Sequence, residues 1–380
     1  MYKHTIDTGD SKPIKCRPYR TSPAAKREIQ KQIDEMLKND IIEHFTSEYS
    51  FPIVLVKKKN GEFRFAIDYR KLNAVTQPIT YPLPRLDDVF DAIGQANATI
   101  YTKLDLTSAY FQLGLDDKSK HKTAFITHDN LYQFKRMPYG LNNACQSFQA
   151  LMNQVLRGLT WKHCLVYVDD VIIWSKDFES HLQHLDLVFQ RLRMANLTLR
   201  PNKCEFAKPE ILYLGHFISR QGIKVDPSKI EAVKSFPTPQ NQHDVRSFLG
   251  LSGYYRKYVK GYAKIATPLN RLLTKDISFK WTNDCENAFK TLKQALLTAP
   301  VLGYPNLNKP FILACDASSS AIGYILSQLG DDNTEHVIGY GGRALTNTEK
   351  NYSVTEQELL ALVSAISYFH IYLANSTFDV

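Results

Sequence analysis

The chain has 380 residues, of which 44% are hydrophobic and 22% charged, an ordinary globular balance with room for two or three domains of about 100–200 residues. Lys and Arg number 47 against 38 Asp and Glu, a formal charge of +9, which favours an anionic partner, either nucleic acid or an acidic membrane surface. The opening MYKHTIDTGD has no apolar signal region, and the six cysteines form no C-x-x-C pair, so buried free thiols are expected and a disulfide framework is disfavoured. The most apolar stretch, Leu359 to Ala374, contains Ser364, Ser367 and His370. It is shorter than the ~20 residues of a membrane span, and a buried helix is expected there.

Residues 24–38 (AAKREIQKQIDEMLK) follow Pro23 and place Ile29, Ile33, Met36 and Leu37 on one side, the pattern of an amphipathic helix. Phe51–Val56 reads as a strand, Lys57–Lys58–Lys59–Asn60–Gly61 as a basic turn, and Phe63–Ile67 as the returning strand. Pro78, Pro82 and Pro84 mark an extended connection. Ile100–Asp105 alternates like a strand, Ser147–Leu156 reads as a helix, and Leu165–Trp174 is nearly all apolar around two aspartates. Asp226 and Pro227 open another helix, because Asp suits the N-cap and Pro at the first helical position forfeits no hydrogen bond. Pro237–Thr238–Pro239 ends it. Residues 241–300 read as almost wholly helical, with ten Lys and Arg against four acids. Tyr254, Tyr258 and Tyr262 recur every four residues there, a spacing expected of core packing. Phe311–Ala314 and Ala321–Gln328 return to strands. The pattern changes near residues 225 and 300 divide the chain into 1–225, 226–300 and 301–380.

Asp169 and Asp170 lie between two apolar arms, Leu165–Val168 and Val171–Trp174, as if in the turn of a β-hairpin. Adjacent like charges repel, so such a pair is either solvated or neutralised by cations. Asp105 ends the strand whose Ile100, Thr102 and Leu104 can face a core. If that strand lies beside the hairpin, three carboxylates meet at one sheet end, a donor set suited to Mg²⁺ and to two-metal phosphoryl chemistry.

At these residues the sequence resembles a known family. Leu104–Asp105–Leu106–Thr107–Ser108–Ala109–Tyr110, Arg136–Met137–Pro138–Tyr139–Gly140–Leu141 and Tyr167–Val168–Asp169–Asp170 are similar, in order and spacing, to three polymerase motifs of reverse transcriptases. Asp68–Tyr69–Arg70–Lys71–Leu72–Asn73 and Tyr213–Leu214–Gly215–His216 look like two further blocks. The whole chain follows the pattern of gypsy-type elements with long terminal repeats.

The resemblance implies an α+β right-hand polymerase: fingers and palm over 1–225 and a helical thumb or connection over 226–300. It implies Asp105, Asp169 and Asp170 as metal ligands, Tyr110 as a steric gate against ribose 2′-hydroxyls, and Arg64 with Lys58 as triphosphate-binding residues. Lys57 is an alternative to Lys58. Gly140 would pass close to template and nucleotide, and Leu214, Gly215 and His216 would form the primer grip. Tyr139 and Cys145 depart from the commoner Phe and Pro of the family. Two Mg²⁺ or Mn²⁺ ions per site, an RNA or DNA primer–template and deoxynucleoside triphosphates are the implied cofactors and partners, with no membrane. An intracellular location is implied, in cytoplasmic element-derived particles or the nucleus.

From Phe311 the sequence resembles a ribonuclease H-like α/β domain, with Cys315–Asp316–Ala317–Ser318 and Glu356–Gln357–Glu358–Leu359–Leu360–Ala361 matching its first two catalytic blocks. Asp316 and Glu358 are the implied metal ligands, and Glu358 fits better than Glu356. The family needs two more aspartates, and Asp379 comes a few residues early, so the domain is expected to be C-terminally incomplete and inactive as a nuclease in this chain.

Other readings fare less well. Asp7–Thr8–Gly9 suggests an aspartic protease but lacks a preceding apolar strand. His181, His184 and Cys204 suggest zinc but lack a fourth ligand at suitable spacing, so helix-surface histidines are expected. A nucleic-acid-binding remnant without catalysis is the rival of a different class, and the intact carboxylate triad speaks against it.

Overall fold

Ser22 accepts a hydrogen bond from the Ala25 N–H and starts the Pro23–Lys38 helix, whose Ile29, Ile33 and Met36 are buried. The proline stands where a helix has no use for an N–H, so cap and ring together fix the start. The computed structural model describes residues 2–57, 61, 63–274 and 278–380. They form two compact units, Met1–Arg85 with Thr102–Trp174 and Phe178–Ala207, and Leu86–Tyr101 with Ser175–Asp177 and Lys208–Val380.

The first unit holds a five-stranded sheet in the order Ile42–His44, Leu131–Phe134, Phe125–Ile126, Phe51–Lys57, Phe63–Ile67. Its last two strands pair antiparallel from Ile53 opposite Ile67 to Lys57 opposite Phe63, the expected hairpin. A second sheet is ordered Glu205–Lys208, Ile100–Asp105, Asp170–Ser175, Cys164–Tyr167. The buried face of the Ala144–Val155 helix shares a core with Leu104, Val166, Val171 and Ile173.

The second unit carries a three-stranded antiparallel sheet, Glu210–Tyr213, His216–Ser219 and Gly222–Val225. Helices follow over Pro227–Lys234, Gln242–Tyr254, Tyr262–Arg271 and Asn283–Leu297. Asp226 caps the first by accepting from the Ser228 N–H. The tyrosines at 254, 258 and 262 do not share one helix, because the chain turns through a 3₁₀ segment at Arg256–Tyr258. Tyr258 is buried and Tyr254 exposed, so the expected stripe is broken by the backbone.

A last sheet is ordered Glu335–Ala344, Ala321–Leu329, Phe311–Ala317, Phe378–Asp379. Its first three strands are antiparallel, and Phe378–Asp379 adds parallel to Phe311–Ile312. The expected buried helix near 359–374 is two helices, Val354–Tyr368 and His370–Leu373. Only one face of the first is covered: Ala361 and Ala365 are buried, while Leu359 is 57% and Val363 64% exposed. The apolar run misled because it holds apolar residues on both faces of the helix. Among the described residues, no helix is long and apolar enough to cross a membrane.

Candidate active site

Tyr167 pairs with Asp170, so Val168 and Asp169 alone make the hairpin turn. Two-residue turns that suit the twist of a hairpin require positive φ, and Val168 adopts φ 56°. For a β-branched residue this region costs about 1–3 kcal/mol unless the surroundings hold it. Gln149, fully buried on the Ala144–Val155 helix, supplies the hold. Its Oε1 accepts the Val168 N–H at 2.8 Å, and its Nε2 donates to the Val166 carbonyl at 3.0 Å.

Ile100–Asp105 is the sheet neighbour of Asp170–Ser175. The Thr99 N–H donates to the Ser175 carbonyl at one end of the pair, which leaves Asp105 and Asp170 at the other. Asp105 is anchored through its backbone: its carbonyl accepts the Arg200 N–H at 2.8 Å, and its N–H points to Cys204 Sγ at 3.4 Å. Lys103 Nζ lies 3.7 Å from Asp170 Oδ1. Burial pushes the Asp170 carboxyl above the usual carboxylate range; Lys103 opposes that shift, and the charges of Asp169 and Asp105 add to it. The charges of Asp105 and Asp169 therefore reach Asp170, but the three carboxylates are not a tight cage. Among the described residues, no three His, Cys, Asp or Glu side chains are grouped to hold an ion.

Aromatic rings line the same neighbourhood. Tyr110 lies 5.1 Å from Tyr139 and 5.8 Å from Phe148, centroid to centroid, and its hydroxyl is 3.1 Å from Cys145 Sγ. The Arg64 guanidinium carbon stands 5.9 Å from the centre of the Tyr139 ring. Burial raises the Tyr139 phenol; Asp169 and Asp105 raise it further, and Arg64 and Arg200 oppose them. Tyr139 is thus the meeting point of the carboxylates and two cations, so the departure at this position keeps its ring in the site. Gly140 is exposed at φ 90°. Asn73 clamps its loop, donating from Nδ2 to the Gly140 carbonyl and accepting the Asn142 N–H, both at 2.8 Å. Lys58 lies outside the described residues.

Gln149, Asn73 and Arg200 do not stand out individually in the sequence. Gln149 alone leaves a signal, as a polar residue flanked by the apolar Phe148, Ala150 and Leu151 of a core-facing helix.

Leu214 and Gly215 form the two-residue turn between Glu210–Tyr213 and His216–Ser219, at φ 48° and 79°. His216 is 2% exposed, so it is an internal residue and not a surface contact. Its ring sits among Phe90, Tyr254, Tyr255 and Tyr258. Burial lowers it to about 4, and the Lys257 charge adds to the shift, so the imidazole is neutral.

In the ribonuclease H-like region Asp316 is exposed on its strand, opposite Gly323. Glu358 stands in the Val354–Tyr368 helix close enough to Cys315 to raise its thiol, second to burial. Glu356 is engaged in starting that helix, since its carboxylate accepts the Ser353 N–H and hydroxyl, both at 2.8 Å, and closes a capping box. Glu358, exposed on the same helix, is not the capping glutamate. Asp379 is exposed and paired with Ile312.

The rival sites do not assemble. Asp7 accepts the Gly9 N–H in a local turn. His181 is fully buried against Thr102, 2.7 Å from its hydroxyl, which corrects the expected surface position. His184 stacks on His163 at 3.8 Å.

Residues 56–218 match the family model "Reverse transcriptase (RNA-dependent DNA polymerase)", and residues 281–380 match "RNase H-like domain found in reverse transcriptase". The chain is 40% identical over 383 residues to the retrovirus-related Pol polyprotein from transposon 297 of Drosophila melanogaster, covering 99% of this chain and 35% of that one. It is 37% identical to the gypsy Pol polyprotein of the same fly (98% and 37% covered) and 33% to the transposon Tf2-3 polyprotein of Schizosaccharomyces pombe (97% and 28%). The chain thus spans about a third of the length of these relatives. A foamy viral protease-reverse transcriptase in complex with ds DNA superposes with a TM-score of 0.88 at 23% identity, covering 100% of this chain and 66% of that one. Another, in complex with an RNA/DNA hybrid, gives 0.81 at 24%, covering 98% and 50%. The chain belongs to the reverse transcriptases of the gypsy-type retrotransposon Pol family, with a ribonuclease H-like domain following the polymerase part.

Proposed function

We propose that this chain is an RNA-directed DNA polymerase that extends a primer on an RNA or DNA template. The observation that carries the reading is the meeting of Asp105, Asp169 and Asp170 at one sheet end, beside Tyr110 and the Tyr139–Arg64 pair. The fold likeness to reverse transcriptases solved with ds DNA and with an RNA/DNA hybrid supports a primer–template as partner.

Asp105, Asp169 and Asp170 would hold two Mg²⁺ or Mn²⁺ ions, which when bound supply the charge that readies a primer 3′-hydroxyl and neutralises a triphosphate. The donor set fits in its chemistry: three hard oxygen ligands, of which Asp170 is raised first by burial and then by the charges of Asp169 and Asp105. Arg64, a fixed planar cation, would pair with triphosphate oxygens, and Lys58 would join it. Tyr110, wedged between Tyr139 and Phe148, would present a ring edge where a ribose 2′-hydroxyl would clash. Gly140, held by Asn73, would let the backbone approach the incoming base pair. Leu214, Gly215 and His216 would set the primer end, with His216 acting through packing. In this reading 1–225 is fingers and palm, 226–300 thumb or connection, and 301–380 the ribonuclease H-like domain. There Asp316 and Glu358 would serve hydrolysis of RNA in hybrids by the whole parent protein.

The test is primer extension on an RNA template with Mg²⁺, wild type beside Asp169→Asn. Extension by the wild type alone is expected. No extension by the wild type, with primer–template still bound, would favour a binding remnant.

A further inference from the structure

The turn at Leu214–Gly215 is fastened from outside its own sheet. The Tyr254 hydroxyl donates to the Leu214 carbonyl at 3.0 Å, and the Tyr255 hydroxyl to the Gly215 carbonyl at 3.0 Å. Two adjacent residues at the end of the Gln242–Tyr254 helix thus take both carbonyls of a two-residue turn. The rings stand perpendicular, 4.8 Å apart, which is how neighbours in sequence reach neighbouring carbonyls. Both rings also wall the buried His216, whose Nδ1 lies 3.1 Å from the Leu214 carbonyl. The chain segment after the helix is pinned in turn, since Lys257 Nζ is 2.7 Å from Asp87 Oδ1 and 4.8 Å from the Phe90 ring centre.

We propose that Tyr254 and Tyr255 are positioning residues for primer extension: their hydroxyls lock the Leu214–Gly215 turn to the basic helical segment, so that duplex held by that segment and the primer end held by the turn stay in one register. This rests on the reading of the turn as the primer grip. The physical case is specific. The turn already has one backbone tether, the Asp226 N–H donating to the Gly215 carbonyl at 3.2 Å, and the two hydroxyls add their hold to it, at Leu214 as well as at Gly215. A non-glycine residue at φ 48° adds strain that favours a shift of the turn. Two hydroxyl bonds bias the turn toward one position by a free energy that sets how often the primer end is aligned.

The variants are Tyr254→Phe, Tyr255→Phe and the double Phe variant, which keep both rings and remove only the bonds. The matched control is Tyr258→Phe. Tyr258 shares the His216 box, yet its buried hydroxyl has no hydrogen-bond partner among the described residues. Single-turnover extension of a DNA primer on an RNA template should slow about threefold for each single variant and about tenfold for the double. The primer–template Kd should stay within about twofold, and Tyr258→Phe should extend like wild type. An active wild type with a double variant of undiminished rate overturns the proposal, as does equal slowing by Tyr258→Phe, which would mean a general packing effect. A parallel rise in Kd for the double variant, accounting for the whole loss, overturns it too. A wild type that binds primer–template but never extends it instead defeats the polymerase reading, so the two failures are distinct.

Discussion

Two hairpin turns of this chain solve one problem in different ways. Val168–Asp169 and Leu214–Gly215 each connect paired strands with two residues, and each begins with a large aliphatic at positive φ, 56° and 48°. The first turn must carry a carboxylate, and its hold comes from one buried amide, Gln149, which takes an N–H on the turn and a carbonyl on the preceding strand. The second carries no charge, and two phenol hydroxyls take its carbonyls from outside. The buried amide ties the first turn, and the strand before it, to the Ala144–Val155 helix that shares their core. Hydroxyls from a following helix tie a turn to another element. The first arrangement suits a site where charges must not move, and the second a site where two bodies must move together.

The largest expected effect lies in the first turn. Asp169→Asn removes one carboxylate charge and leaves the backbone as it was. DNA synthesis should fall about a thousandfold, the loss of roughly 4 kcal/mol of transition-state stabilisation, with primer–template affinity preserved in a filter-binding assay. Asp105→Asn should behave alike. Extension within tenfold of wild type by either would remove that residue from the site.

Gln149→Leu probes the amide that holds the first turn. It leaves the Val168 N–H and Val166 carbonyl without side-chain partners, a cost of about 1–3 kcal/mol, and frees a strained turn. Synthesis should drop about 10- to 100-fold, against a smaller loss for Gln149→Glu, which keeps the acceptor for Val168. Equal rates for Leu, Glu and wild type would show that the turn holds itself.

Sequence patterning made much of this visible. The hairpin at Asp169, the strand ending in Asp105 and the helix opened by Asp226–Pro227 all follow from alternation and capping, which are local. What stayed hidden is not local. Gln149 acts 19 residues upstream of Val168 and Tyr254 40 residues downstream of Leu214; neither spacing has a period. His181 gave a surface reading because helix periodicity does not show the Thr102 hydroxyl that satisfies it in the core. The Leu359–Ala374 run read as buried because composition counts apolar residues without saying which face they take.

Gly215→Ala sharpens the contrast, since the first turn has no glycine to lose. A Cβ at 215 would meet the Tyr255 hydroxyl at 3.0 Å, with the backbone at φ 79°. The left-handed conformation alone costs about 1–2 kcal/mol, and the tyrosine must yield as well. The melting temperature should fall by several degrees, about 2 kcal/mol in all. A change of less than one degree would mean that the turn is loose enough to repack.

The smallest effect concerns pH, because ionisable groups frame the second turn, whereas an amide clamps the first. Phe90 walls the His216 box, and its helix neighbour Asp91 accepts from the Tyr372 hydroxyl at 3.0 Å. Burial raises the Asp91 carboxyl to about 6 from 3.8; Asp87 and Asp88 add to the shift, and Tyr372 and Lys257 oppose it. The folded state therefore holds this proton more tightly than the unfolded one. Stability falls as pH climbs from about 4 to about 6, and the cost is fully present above that window. Asp91→Asn keeps an oxygen for the Tyr372 hydroxyl and cannot ionise. It should melt higher than wild type at pH 8, by about 1–2 kcal/mol given the partial exposure of the site, and equal it at pH 4. His216 works in the opposite sense: its depressed value near 4 takes stability away as pH falls from 6.5 toward 4, in both proteins alike. The difference between the two melting curves therefore isolates Asp91. A constant offset from pH 4 to pH 8 would show that the carboxylate is solvated and that the ionisable frame of the second turn is only nominal.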